Sequence, residues 1–146
     1  MPRLFVVDTN VIVSGVLSYG RPSATALVLA AMLDGRVSFF ITADLLAEYR
    51  LVLLRPIVAE RHAWASADVD GLLAELTMAA YLRQPPDNDA PDSPPGDEHM
   101  IRLLAHEPRA ALVSGDGRLL EAVRGWREAL TPAELVGLLG LTSSAA

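Results

Sequence analysis

The chain has 146 residues, 51% of them hydrophobic, with a formal charge of −6 and a mean hydropathy of +0.31. That is enough apolar material for one core of ordinary size, which excludes a disordered chain, and no apolar run nears the ~20 residues of a membrane helix. There is no cysteine, and all 12 basic residues are arginine, so disulfides, thiolate catalysis, Schiff bases and lysine-bearing phosphate loops are excluded too.

Leu4 to Val7 is a short unbroken apolar run that reads as a strand buried on both faces, as in a parallel sheet. It runs into Asp8, Thr9 and Asn10, and ligands of open α/β sheets gather at the carboxyl ends of strands. Asn10 to Leu17 predicts a short helix, followed by a Ser18-Tyr19-Gly20 loop. Pro22-Ser23 opens a helix over Ala24–Leu33, with Gly35 in the usual C-terminal stop position. Ser38 to Ile41 is a second apolar strand. Thr42 caps a helix that Pro56 closes, Ile57 to His62 makes a helical turn, and Ser66 caps a helix to about Thr77.

Met78 to Leu82 reads either as a third strand or as more helix. Gln84 to Gly96, with five prolines and three aspartates, is a loop within one domain. A helix over Asp97 to Glu107 follows, then a strand, Ala110 to Val113, that ends in Ser114-Gly115-Asp116-Gly117. Arg118 to Arg124 is helical and Arg127 to Leu130 is a short fifth strand. Thr131 and Glu134 form a capping box with Pro132 at the first helical position. This alternation predicts an α/β fold, a mostly parallel sheet of four to five strands between two helix layers, in a single domain spanning residues 1–146. No signal peptide is visible at the N-terminus, and the expected compartment is cytoplasmic.

Acidic residues fall at telling places. Asp8 and Asp116 end apolar strands, and Asp97 starts the helix that feeds the second of them. Glu48 lies beside an apolar stripe, since Leu45, Leu51 and Val52 share its side of a helix. Each has an ordinary structural reading as well. Asp97 suits a helix N-cap with Glu98 in the first turn, Asp116 suits a turn, and Glu48 suits an ion pair with Arg50 or Arg55. In a doubly wound sheet these points can meet in one cleft, where carboxylates repel and protons or cations must intervene. Oxygen-only ligands favour Mg²⁺ or Mn²⁺ with phosphate oxygens, which suits phosphodiester hydrolysis. His62, His99 and His106 lack the i, i+4 spacing of a helical zinc pair and are expected at the surface or at helix ends. No Gly-x-Ser-x-Gly or phosphate-loop pattern occurs.

The ordered set Val-Val-Asp8-Thr-Asn10-Val-x-Val-Ser14, Leu-Leu-x-Glu48-Tyr-Arg with Arg55-Pro56, Asp97-Glu98-x-Met-Ile-x-Leu-Leu-Ala, Leu-Val-Ser114-Gly-Asp116 and Leu-Thr-Pro-Ala-Glu-Leu resembles the PIN domain. Within that family it is similar to the toxins of bacterial toxin–antitoxin pairs, the VapC-type ribonucleases. The resemblance implies a PIN-like fold of helices around a parallel sheet. Its four catalytic and metal-binding acids map to Asp8, Glu48, Asp97 and Asp116, with Asn10, Ser114 and Glu98 as supporting polar groups. It further implies Mg²⁺ or Mn²⁺ as cofactor, RNA as substrate, a cognate antitoxin protein, and a homodimer with no membrane partner. The apolar helix Ala24–Leu33 is expected to supply surplus surface for that dimer. The chain departs from related toxins at Pro94-Pro95-Gly96 and Arg118, where they carry further aspartates.

Other readings remain open on sequence alone. A catalytically inactive PIN-like module that binds RNA or protein is the principal alternative. An aspartyl-phosphate phosphotransferase with Asp8 as nucleophile is disfavoured, because Asn10 stands where the second acid belongs and the chain has no lysine. A 5′-nuclease would need more acids and a longer chain.

Overall fold

The computed structural model describes residues 3–86 and 96–143. Five strands form one all-parallel sheet in the order β3-β2-β1-β4-β5: β1 (Leu4–Val7), β2 (Ser38–Ile41), β3 (Tyr81–Leu82), β4 (Ala110–Val113) and β5 (Ala129–Leu130). The predicted α/β class and parallel sheet are therefore present. β1 is central because nothing in it needs water: Phe5, Val6 and Val7 are buried, as is all of β4. Their register sets Leu4 opposite Ala110 and Val7 opposite Val113, and Leu4 also pairs with Ser38 of β2.

Eight helices occur among the described residues: α1 (Thr9–Leu17), α2 (Ala24–Leu33), α3 (Ala43–Leu53), α4 (Pro56–His62), α5 (Ser66–Ala79), α6 (Glu98–His106), α7 (Gly117–Arg124) and α8 (Pro132–Leu139). The chain builds outward from β1 through β2 to β3, then crosses back to β4 on the other side of β1. The parallel strands are joined by crossovers that carry helices, and these helices flank the sheet. The strand order reverses between β1 and β4, which opens a crevice at their carboxyl ends.

Boundaries differ from expectation for local reasons. α1 starts at Thr9 because the Asp8 carboxylate caps it, accepting from Thr9 N–H at 2.7 Å. Pro56 opens α4 at its first position as well as ending α3. Ser66 does not cap α5. The cap position is Ala65, whose N–H donates to the Asp68 carboxylate at 3.1 Å. The Met78–Leu82 ambiguity divides, with Met78 and Ala79 helical and Tyr81–Leu82 in β3. β5 is only Ala129–Leu130, since Arg127 turns its guanidinium onto the carbonyls of Leu104, Glu107 and Ala110. α6 is one residue shorter at each end than predicted. Of the proline-rich loop Gln84–Gly96, residues 87–95 lie outside the described residues.

The α2 helix is not surplus. It buries Val28, Leu29, Ala31 and Met32 and packs within the chain against α1, α5 and α8. The crossing with α1 is close: a Cβ on Gly15 would stand 2.9 Å from the Thr25 carbonyl oxygen and 3.0 Å from Leu29 Cβ. Ser14 and Thr25 join hydroxyls at 2.8 Å across it. Among the described residues no helix is long and apolar enough to cross a membrane.

Candidate active site

Asp8 follows the last residue of β1 and is buried, with 6% of its surface exposed. Its two oxygens are held differently. Oδ1 takes the Thr9 N–H, while Oδ2 accepts from Ser114 Oγ at 2.7 Å and from Asn10 Nδ2 at 3.0 Å. Ser114 directly follows β4, is fully buried, and its Oγ also accepts from Asp116 N–H at 2.9 Å. Asn10 closes the loop, its Oδ1 accepting from Gly115 N–H at 3.0 Å. Neutral donors thus tie the ends of the two central strands together around one carboxylate. Burial pushes the Asp8 carboxyl above its ordinary value, and the charges of Glu48 and Asp116 add to this, while the Ser114 and Thr9 hydrogen bonds oppose it.

Glu48 comes from the second turn of α3. The Tyr49 hydroxyl beside it is fully buried and donates to the Val7 carbonyl, which pins α3 to the end of β1. Glu48 Oε2 accepts from the Thr9 hydroxyl, and its Oε1 lies 3.6 Å from His99 Nε2. The ordinary alternative for Glu48, an ion pair with Arg50 or Arg55, does not form among the described residues: Arg50 turns to Asp70 at 2.8 Å.

Asp97 stands at the N-cap position of α6, yet its side chain makes no capping hydrogen bond. The carboxylate faces the cleft instead, with a pKa raised to about 6 by burial first and then by the charges of Asp8, Asp116 and Glu48. Asp116 does cap, Oδ1 accepting from Arg118 N–H at 2.9 Å and Leu119 N–H at 3.4 Å at the start of α7.

These four acids line one open cleft of about 700 Å³, together with Thr9, Asn10 and, farther out, Arg21, Arg55 and Arg61. Glu98 is exposed and is not part of that lining. His99 lies at a helix end, as expected, but its part in the cleft wall was not foreseen. It is only 18% exposed, reaches Glu48, and its Nδ1 is buried without a hydrogen-bond partner among the described residues. Its position two residues after Asp97, in the first turn of the same helix, was the available signal.

A family model described as PIN domain matches residues 4–118, which runs from β1 to the start of α7 and includes all four acids. The chain belongs to the PIN-domain family. A PIN domain is a nuclease-type fold, and members of the family typically act with divalent metals on RNA. The match stops before β5 and α8. No curated protein matches the chain. The donor chemistry of this PIN-domain cleft fits a hard cation: its acids offer oxygen only, repel one another and, among the described residues, have no arginine salt-bridged to them. Among the described residues, no three His, Asp or Glu side chains are gathered closely enough to enclose one ion.

Proposed function

We propose that this chain, as one PIN unit over residues 1–146, is a divalent-cation-dependent endoribonuclease and the toxin of a toxin–antitoxin pair. The observation that supports this reading is the convergence of Asp8, Glu48, Asp97 and Asp116, from four different elements, on the crevice at the β1/β4 reversal. Burying like charges together raises the free energy of the folded chain, and a cation is the economical remedy. Asp8, Glu48, Asp97 and Asp116 would hold Mg²⁺ or Mn²⁺. The bound ion supplies positive charge that offsets the carboxylates and polarises a phosphodiester.

The chain's own groups do the positioning. Ser114 and Asn10 fix Oδ2 of Asp8, so that its other lone pairs keep one direction. Thr9 orients Glu48, and Tyr49 holds the helix that carries it. Asp97, whose carboxyl is raised to about 6 by burial and by the charges around it, is suited to exchange a proton with water near neutral pH. RNA as substrate, a cognate antitoxin protein and a homodimer belong to the same proposal.

One observation favours a second reading, an inactive PIN-like module that binds RNA or protein: no three described ligands enclose an ion. Cleavage of a fluorescent single-stranded RNA panel with Mg²⁺ or Mn²⁺ separates the two. The nuclease reading expects metal-dependent cutting that Asp8→Asn and Asp97→Asn each abolish. A folded wild-type chain that neither cuts nor gains melting temperature with either metal overturns the nuclease reading and leaves the second to be tested by binding.

A further inference from the structure

The cleft has an acidic floor and a basic rim. Of the chain's 12 arginines, Arg3, Arg36, Arg50, Arg83 and Arg124 are in ion pairs, and Arg127 is on backbone carbonyls. Arg102 and Arg109 also have partners. Arg21, Arg55, Arg61 and Arg118 have none among the described residues. The first three line the cleft. They are exposed and do not fold back on the nearby carboxylates, which leaves their guanidinium groups open to another anion.

Their placement has a direction. Glu48 sits on α3, Val52 lies one turn farther along the cleft wall, and Arg55 follows the helix end about 10 Å from Glu48 along its axis. Arg61 is in the last turn of α4, and Arg21 sits in the loop between α1 and α2. Aromatic residues lie close in sequence to both arms, and Tyr19 and Trp64 line a second groove rather than the cleft itself. Tyr19, two residues before Arg21, is 69% exposed and packs edge-on against Trp64, three residues after Arg61, at 5.9 Å between centroids. Trp64 is held by His62, whose Nδ1 accepts the Trp64 N–H while Nε2 donates to the Leu53 carbonyl, both at 2.8 Å.

We infer that Arg21, Arg55 and Arg61, with the exposed ring of Tyr19, form a track that binds single-stranded RNA on one side of the acidic centre. The arginines take backbone phosphates and Tyr19 stacks a base. The inference rests on the endoribonuclease reading for the choice of RNA, and it supplies what that reading lacks. A chain of net charge −6 repels a polynucleotide as a whole, so attraction has to be local. Phosphate contacts beside stacking rings are the usual means of holding a single strand without reading its sequence.

The test is fluorescence anisotropy of a labelled single-stranded RNA oligonucleotide with the full chain in EDTA, where binding is read without cutting. The Arg21→Gln/Arg55→Gln/Arg61→Gln chain is expected to bind at least ~10-fold more weakly. Its slope of log affinity against log salt is expected to shrink by about 2, at about 0.7 per lost phosphate contact. Tyr19→Ala is expected to weaken binding about 10-fold with no change of slope, and Tyr19→Phe to restore it. Arg118→Gln removes an unpaired arginine outside the cleft and is expected to bind as wild type. Wild-type affinity in the triple variant, an equal loss in Arg118→Gln, or no binding by the wild-type chain would each overturn the track. Binding that follows this pattern in a chain that never cuts RNA leaves the track standing and removes the nuclease reading instead.

Discussion

Asp97 is the residue at which pH acts most visibly. Its carboxyl titrates near 6 in the folded chain against 3.8 in the unfolded one. Between those values the folded state keeps a proton that the unfolded state has lost, so stability falls as pH rises through the window. At pH 7 the folded chain carries the whole cost. Asp97→Asn is therefore expected to raise the melting temperature at pH 7 without divalent cation, by an amount that fades to nothing below pH 4. A thermal shift series in EDTA from pH 3.5 to 7.5 checks the sign, and a melting temperature lowered at pH 7 would contradict it. Ser114→Ala acts the other way. It leaves a buried carboxylate short of one donor, and should cost about 1–3 kcal/mol by urea unfolding at pH 7. It should also lower cleavage about 10- to 100-fold. At this scale the sequence was legible where chemistry met a strand end: Asp8, Asn10, Ser114 and Asp116 all meet in one network. It was less legible for His99 and Glu98, neighbours on one helix turn whose orientations depend on how α6 is rotated against β1 and β4. Only packing decides that rotation, and it brought the histidine in and left the acid out.

Among the elements, α1 and α3 do most to shape the cleft, and each is fixed by one contact that invites a test. Gly15→Ala would force α1 from α2 against a backbone oxygen. Overpacking of this kind costs about 1–3 kcal/mol, measurable as a lowered urea midpoint with an unchanged slope. Tyr49→Phe removes the donor to the Val7 carbonyl, at a cost of about 1–3 kcal/mol, and frees the helix that presents Glu48. Loss of cleavage exceeding the loss of stability is the expected signature. The order and type of the long elements could be read from apolar period and capping residues, as at Thr42, which accepts from Leu45 N–H, and at Thr131 and Glu134. The short edges could be located but not bounded: the strand ranges Met78–Leu82, read equally as helix, and Arg127–Leu130 contain β3 and β5, which have only two residues each. Ala65 was also invisible as a cap position, because the acid that satisfies it lies three residues later.

For the molecule as a whole, the acidic balance and the reversal of strand order belong together. The reversal creates the crevice, and the crevice collects carboxylates whose mutual repulsion no arginine among the described residues neutralises. Millimolar Mg²⁺ or Mn²⁺ is accordingly expected to raise the melting temperature of the wild-type chain, with a smaller rise for Asp8→Asn and for Asp97→Asn. Differential scanning fluorimetry with each metal is sufficient, and equal shifts in all three chains would place the binding elsewhere. The parallel sheet was foreseeable from β1 and β4 alone, as short runs without polar residues. That β1 would lie between β2 and β4 was not, since strand order depends on which crossovers can cover which face.

That central position has a further consequence for how the protein comes into being. Ser114 and Asp8 are hydrogen-bonded across 106 residues of sequence, and β1 finds its β4 partner only after most of the chain has left the ribosome. A nascent chain therefore carries its first strand with one neighbour missing for most of its synthesis, a slow and non-local closure. The cleft is complete only once β4 has joined β1. A chain without β4 and the turn that follows it has neither the Ser114 hydroxyl on Asp8 nor the Asp116 carboxylate beside it.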